Sequence, residues 1–137
     1  MLDRLASAGL RATRTRKALA ALLFDGKNRH VTADQLRREA MVTTKMSLAT
    51  IYNTLNAFTR SGLLQEVVVE PGHSFFDTNV TEHYHFYFEE THALVDIPVE
   101  QILLRLPAHP CGTTIRRVDL IIRIRSAISG YGQLKAP

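Results

Sequence analysis

The 137-residue chain has a single cysteine, Cys111, and no apolar run long enough to span a membrane. One thiol cannot close an internal disulfide and cannot build a cysteine-based zinc site. A membrane helix needs about 18 or more consecutive apolar residues, and Asp3 and Arg4 stand where a secretory signal would begin its apolar core. These absences point to a cytoplasmic protein with no membrane partner. Glycine is missing from residues 78–110, and no repeat or low-complexity stretch precedes the soft tail Gly130 to Pro137.

What is present divides unevenly. Residues 1–60 carry 11 Lys/Arg and 4 Asp/Glu, a balance of +7, whereas residues 61–137 carry 6 and 9, a balance of −3. Ordinary surfaces mix signs, so a basic first half suits contact with phosphates. Arg4, Arg11, Arg14, Arg16, Lys17 and Lys45 supply that charge. With 45% hydrophobic residues the chain can fill one core or two small ones.

The segment from Ser47 to Phe58 reads as an amphipathic helix. Leu48, Ile51, Leu55 and Phe58 fall on one stripe at helical spacing. Ala49, Thr50 and Asn53 face away from it, and Asn can pair bidentately with adenine while Ala and the Thr methyl pack on thymine. An ordinary surface helix would show the same stripe, so the neighbouring segments decide. Thr32-Ala33-Asp34-Gln35 forms a capping box for a helix over Ala33 to Ala40, and Met41 to Met46 makes the turn. Gly62 stops the second helix. Leu64 to Glu70 and His73 to Asp77, joined by Pro71-Gly72, then predict a hairpin. Helix, turn, helix and hairpin is the order of a winged helix.

Five of the six histidines lie beyond residue 61, and His83-Tyr84-His85 heads an aromatic run to Phe88. As a strand, this run places His83, His85 and Tyr87 on one face. Two imidazoles side by side, with carboxylates nearby at Asp77, Glu82, Glu89, Glu90 and Asp96, suit zinc, manganese or iron. Two surface histidines could also alternate by chance. The rest reads as a small α/β domain: a strand over His92 to Ile97, a helix of about two turns over Val99 to Leu106, and a long strand over Ile115 to Arg125. So few elements enclose little core, which favours a homodimer.

Several motifs occur in order at family spacing: Ala8 to Thr13, His30-Val31-Thr32-Ala33-Asp34-Gln35-Leu36, Leu48 to Leu55 and Gly62-Leu63. Over residues 2–126 the chain resembles the ferric uptake regulator (Fur) family of bacterial metal-responsive repressors. Within the family, Tyr52 to Leu55, Phe76 to Val80, the His83 to His85 cluster and the missing zinc cysteines are most similar to the alphaproteobacterial iron-response regulator (Irr) branch, whose members respond to haem. The resemblance implies an α+β chain with a winged helix-turn-helix domain over residues 1–78, a hinge over 79–82, and an α/β dimerisation and effector domain over 83–137.

It also implies a metal site of His30, Asp77, His83, His85 and Asp96, with haem candidates His83, Tyr84 and His85 as ligands if the effector is haem. The cofactor implied is haem or a divalent ion, Fe2+, Mn2+ or Zn2+, without structural zinc, since Phe88 and Thr91 occupy the first pair of zinc cysteine positions. In the same matching Arg11 falls on the family's minor-groove residue and Tyr52 on its base-contacting tyrosine; with the basic and outward-facing residues read above, the expected contacts to a palindromic operator are Arg11, Arg14, Arg16, Lys45 and Ser47, and Ala49, Thr50, Tyr52 and Asn53 at the bases. Asn53 stands where many members have arginine. Tyr84 interrupts the usual histidine cluster of the branch, Pro110-Cys111 reverses its Cys-Pro signal, and Glu82 and Tyr84 match the second regulatory metal site poorly. Two other readings remain: a cupin-like non-haem iron enzyme using His83, His85 and Glu89 or Glu90, and a regulator whose histidines are purely structural. Against the enzyme, cupins need many strands with glycine-punctuated turns.

Overall fold

The computed structural model describes residues 2–127. The chain has an α+β fold and divides between Thr81 and Glu82 into two compact units. Gly130 to Pro137, read above as a soft tail, lies outside the described residues.

The first unit runs α1 (Leu2–Ser7), α2 (Arg14–Leu23), β1 (His30–Val31), α3 (Ala33–Ala40), α4 (Leu48–Arg60), β2 (Gln65–Glu70) and β3 (His73–Asp77). Three of its helices begin on a hydroxyl cap. Thr13, Thr32 and Ser47 accept from the amides of Arg16, Gln35 and Thr50 at 3.2, 3.1 and 3.1 Å, each worth about 1 kcal/mol. The predicted capping box at α3 is only half made. Gln35 Nε2 instead donates forward to the charged Glu39 Oε2 at 3.4 Å, which turns its side chain along the helix and away from the Thr32 N–H that its Oε1 would have accepted from.

The expected apolar stripe of α4 is its buried face. Ile51, Leu55 and Phe58 are fully enclosed with Leu19, Leu23, Leu36, Val31 and Phe76, while Leu48 packs at the edge of this core. Burying side chains of this size contributes roughly 1.5–3 kcal/mol each, so the stripe fixes which face of α4 is left for solvent. Gly62, at φ 86°, ends the helix in a left-handed turn in which Leu63 N donates to Phe58 O at 2.9 Å. The hairpin turns at Pro71-Gly72, with Gly72 at φ 77°, and a bulge shifts register between Val68 and Glu70. The strands form an antiparallel sheet in the order β1-β3-β2.

The second unit holds β4 (Tyr84–Phe88), β5 (Ala93–Ile97), a 3-10 turn (Val99–Gln101) and β6 (Ile121–Ile124). β4 is central, antiparallel to β5 and parallel to β6. Two expected elements differ. The helix over Val99 to Leu106 stops after one 3-10 turn; Val99, Ile102 and Leu104 are only half-buried, while Leu103 is 99% exposed and Leu106 49%, so the segment has no fully buried face. Short helices without a packed face are not stable, and Pro107 disfavours helical backbone at Leu106. The strand over Ile115 to Arg125 shortens to Ile121–Ile124, the part that lies beside β4.

Candidate metal centre and nucleic-acid interface

In the second unit β4 and β5 bring three ligand-type side chains together. His85 and Asp96 are directly paired across the two strands, and His83 lies just before β4. His85 Nε2 stands 3.4 Å from Asp96 Oδ1, and His83 Nε2 stands 3.5 Å from the same oxygen. The imidazole centroids are 4.6 Å apart with planes at 64°. Ligand atoms of all three lie within 4.8 Å of one another. Two nitrogens converging on one carboxylate oxygen make a compact mixed donor set, two borderline imidazoles and one hard oxygen, of the kind that suits a divalent transition-metal ion.

The other two expected ligands, His30 and Asp77, belong to the first unit. They face each other across β1 and β3. Asp77 is almost fully enclosed and its Oδ1 accepts from the Asn79 amide at 2.9 Å. The ring of His30 meets Phe75 edge-on, centroids 6.1 Å apart. Tyr84, the remaining haem candidate, pairs with Ile97 and is buried, on the sheet face opposite His85.

The expected base-reading face of α4 points outward. Ala49, Tyr52 and Asn53 are exposed, Tyr52 by 41%. Ser47 and Thr50 are bonded to each other, since Ser47 Oγ caps the Thr50 amide and donates to Thr50 Oγ1 at 3.0 Å. Their free hydrogen-bonding capacity is therefore smaller than the sequence suggests. Arg11, Arg14 and Lys45 are exposed and Arg16 is half-buried, with Nη1 on the Arg11 carbonyl at 3.1 Å.

One pair escaped the sequence reading. Arg29 and Glu39, ten residues apart and on no common periodicity, form a bidentate ion pair with N···O distances of 2.9 and 2.7 Å. The Arg29 hydrogen bonds hold the Glu39 carboxyl below the usual carboxylate range, outweighing partial burial, which acts the other way. Glu39 in turn raises Arg29. Only the fold brings this pair together; no local motif announces it.

The ferric uptake regulator family profile matches residues 7–122, and the chain belongs to that family of metal-responsive DNA-binding transcription regulators. Its members are regulators rather than enzymes. The chain is 33% identical over 108 residues to the peroxide-responsive repressor PerR of Staphylococcus aureus, covering 77% of this chain and 72% of that one. Two solved structures share the fold at lower identity. The ferric uptake regulator of Vibrio cholerae aligns over 91% of this chain and 98% of its own with a TM-score of 0.72 and 20% identity. That of Pseudomonas aeruginosa, solved with manganese, aligns over 92% and 97% with a TM-score of 0.68 and 21% identity. No helix among the described residues is long and apolar enough to cross a membrane.

Proposed function

We propose that this chain is a cytoplasmic, homodimeric repressor of metal homeostasis genes whose affinity for a palindromic operator is set by a divalent ion. The observation that carries the reading is the convergence of His83 and His85 Nε2 on the Asp96 carboxylate. In this proposal those three residues hold the ion with Asp77 and His30 from the first unit. When bound, the ion supplies the positive charge that lets these donors share one centre. Manganese and iron fit the mixed nitrogen and oxygen donors, and zinc can use them too.

The first unit acts as a winged-helix reading head over residues 1–78, joined through residues 79–82 to the dimerisation and effector domain, 83–137. Ala49, Thr50, Tyr52 and Asn53 read base edges; Arg11 reaches into the minor groove beside the phosphates, and Arg14, Arg16, Lys45 and Ser47 hold the backbone. Dimerisation is supported by an apolar row across the second sheet, where Phe86 pairs with Val95 on one side and Ile122 on the other, the latter two 45% and 37% exposed. A ligand that favours one arrangement of the reading heads shifts DNA affinity by that preference.

A divalent ion is favoured over haem. The two imidazoles point at one carboxylate oxygen, whereas an axial haem ligand faces a flat macrocycle, and Tyr84 lies on the other sheet face. A cupin-like enzyme is disfavoured because the described residues of the second unit hold three strands rather than a closed double sheet. The test is titration of apo-protein with Mn2+, Fe2+, Zn2+ and haem, followed by operator binding. Saturable Mn2+ or Fe2+ binding that strengthens operator binding supports the reading. A Soret shift with no divalent response restores the haem reading, and no response to either makes the histidines structural.

A further inference from the structure

We propose that Arg29 is a positioning residue that transmits occupancy of the His30/Asp77 end of the first sheet to the helix-turn-helix through its clamp on Glu39. The inference rests on the ligand set proposed above. Its basis is the way Arg29 is fastened at both ends. On the backbone side, Arg29 and Thr78 sit one residue beyond the His30–Asp77 pair. Arg29 N donates to Thr78 Oγ1 at 2.9 Å, Thr78 N donates to Arg29 O at 2.9 Å, and Thr78 Oγ1 donates to the same carbonyl at 3.2 Å. Any shift of His30 against Asp77 therefore moves the Arg29 backbone.

On the side-chain side, the guanidinium grips α3. Nη1 bonds Glu39 Oε1 at 2.9 Å and Nη2 bonds Oε2 at 2.7 Å, while Nη1 also reaches the Leu22 carbonyl of α2 at 3.5 Å. Two parallel bonds fix orientation as well as distance, which a lysine ammonium cannot do. Glu39 is held from within α3 by Gln35. α3 shares its core with α4 through Leu36, Ile51 and Leu55, and that packing is the route by which a tilt of α3 would reach the reading helix. Both side chains of the pair are partly exposed, at 27% and 32%. Such pairs add little to stability, so breaking this one leaves the fold intact and isolates the coupling.

The experiment measures operator affinity of the full chain with and without saturating Mn2+, and Mn2+ affinity without DNA, for wild type, Glu39→Ala and Arg29→Lys. The ratio of the two operator affinities is the coupling. The expected result is Mn2+ affinity and apo operator affinity within about twofold of wild type, with the ratio reduced about three- to tenfold in Glu39→Ala and by less in Arg29→Lys. An unchanged ratio in folded Glu39→Ala overturns the inference. Loss of Mn2+ affinity itself also overturns it, because the clamp would then be scaffold for the ligands. If Glu39→Ala does not fold, Arg29→Lys decides on the same criteria. Wild-type DNA binding that ignores Mn2+ overturns the metal reading, a failure distinguishable from an altered ratio in the variants.

Discussion

His85 and Asp96 occupy directly opposed positions on neighbouring antiparallel strands, and the Asp96 oxygen that His85 approaches is the one His83 approaches from the adjacent position. Backbone pairing therefore sets the spacing of His85 and Asp96, while His83 joins them from the residue just before β4.

Removing a donor should cost metal affinity without costing the strand pairing. His85→Ala and His83→Ala are each expected to weaken Mn2+ binding by at least about tenfold, the lower range seen even for residues that only support a ligand. Asp96→Asn keeps the shape and loses the charge, with the same direction of effect. Calorimetric titration reads the affinity. Thermal melts supply a second readout, since wild type at a metal concentration of 100 Kd gains about 2.7 kcal/mol and the variants should gain far less. Equal stabilisation of wild type and the double His variant would remove both residues from the site.

Tyr52 and Asn53 are exposed on α4, so truncating them should affect DNA and leave folding alone. Tyr52→Ala and Asn53→Ala are each expected to weaken specific operator binding by about 1–3 kcal/mol, with denaturation midpoints within about 0.5 kcal/mol of wild type. Arg11→Ala should behave differently. It should weaken specific and unrelated DNA alike and reduce the salt slope by about one unit. Tyr52→Ala that lowers both equally would reassign Tyr52 to the backbone.

How much of this was legible in the sequence depended on whether the chain itself supplies the partner surface. α4 was readable because its stripe meets a core within the same unit, where Ile51, Leu55 and Phe58 are fully enclosed. Val99 to Leu106 carries a helix-like pattern but buries none of its apolar side chains fully, and Leu103 is 99% exposed. Ile115 to Arg125 alternates like a strand, yet only the four residues with a neighbour in β4 adopt one. The His83/His85 pair was visible from its period of two, while its contact with Asp96 needed the β4–β5 register, which spacing alone does not give. Arg29 and Glu39 left no trace, because an ion pair between the residue before β1 and a helix has no sequence period.

The core of the first unit should be intolerant of cavities. Phe58→Ala removes a fully buried ring that also meets Phe24 at a centroid distance of 5.8 Å, and is expected to cost about 3–5 kcal/mol. The neighbouring Asn56 is exposed, and Asn56→Ala should stay within about 0.5 kcal/mol. Urea denaturation at fixed metal content compares the two. A Phe58→Ala loss below about 1 kcal/mol would mean that α4 is held chiefly by something other than this core.

The Arg29–Glu39 pair gives stability a pH dependence of known sign. The Glu39 carboxyl lies below its ordinary value in the folded chain, chiefly because Arg29 hydrogen-bonds the charged form. In the unfolded chain it titrates at its ordinary carboxylate value. The folded state thus binds its proton less readily, so the contribution is fully present above the unfolded value and fades as pH falls through the folded one. Arg29 is raised instead; its contribution is present throughout this range and would be lost only at alkaline pH above the ordinary arginine value. Wild type should therefore exceed Glu39→Gln by no more than about 1 kcal/mol at neutral pH, given the partial exposure of both groups. That margin should shrink towards zero in acid. Metal-free protein unfolded in urea at a series of pH values from about 7 to 3 provides the comparison. A margin that stays constant across the series would show that Glu39→Gln acts through packing and that the charge of Glu39 contributes nothing.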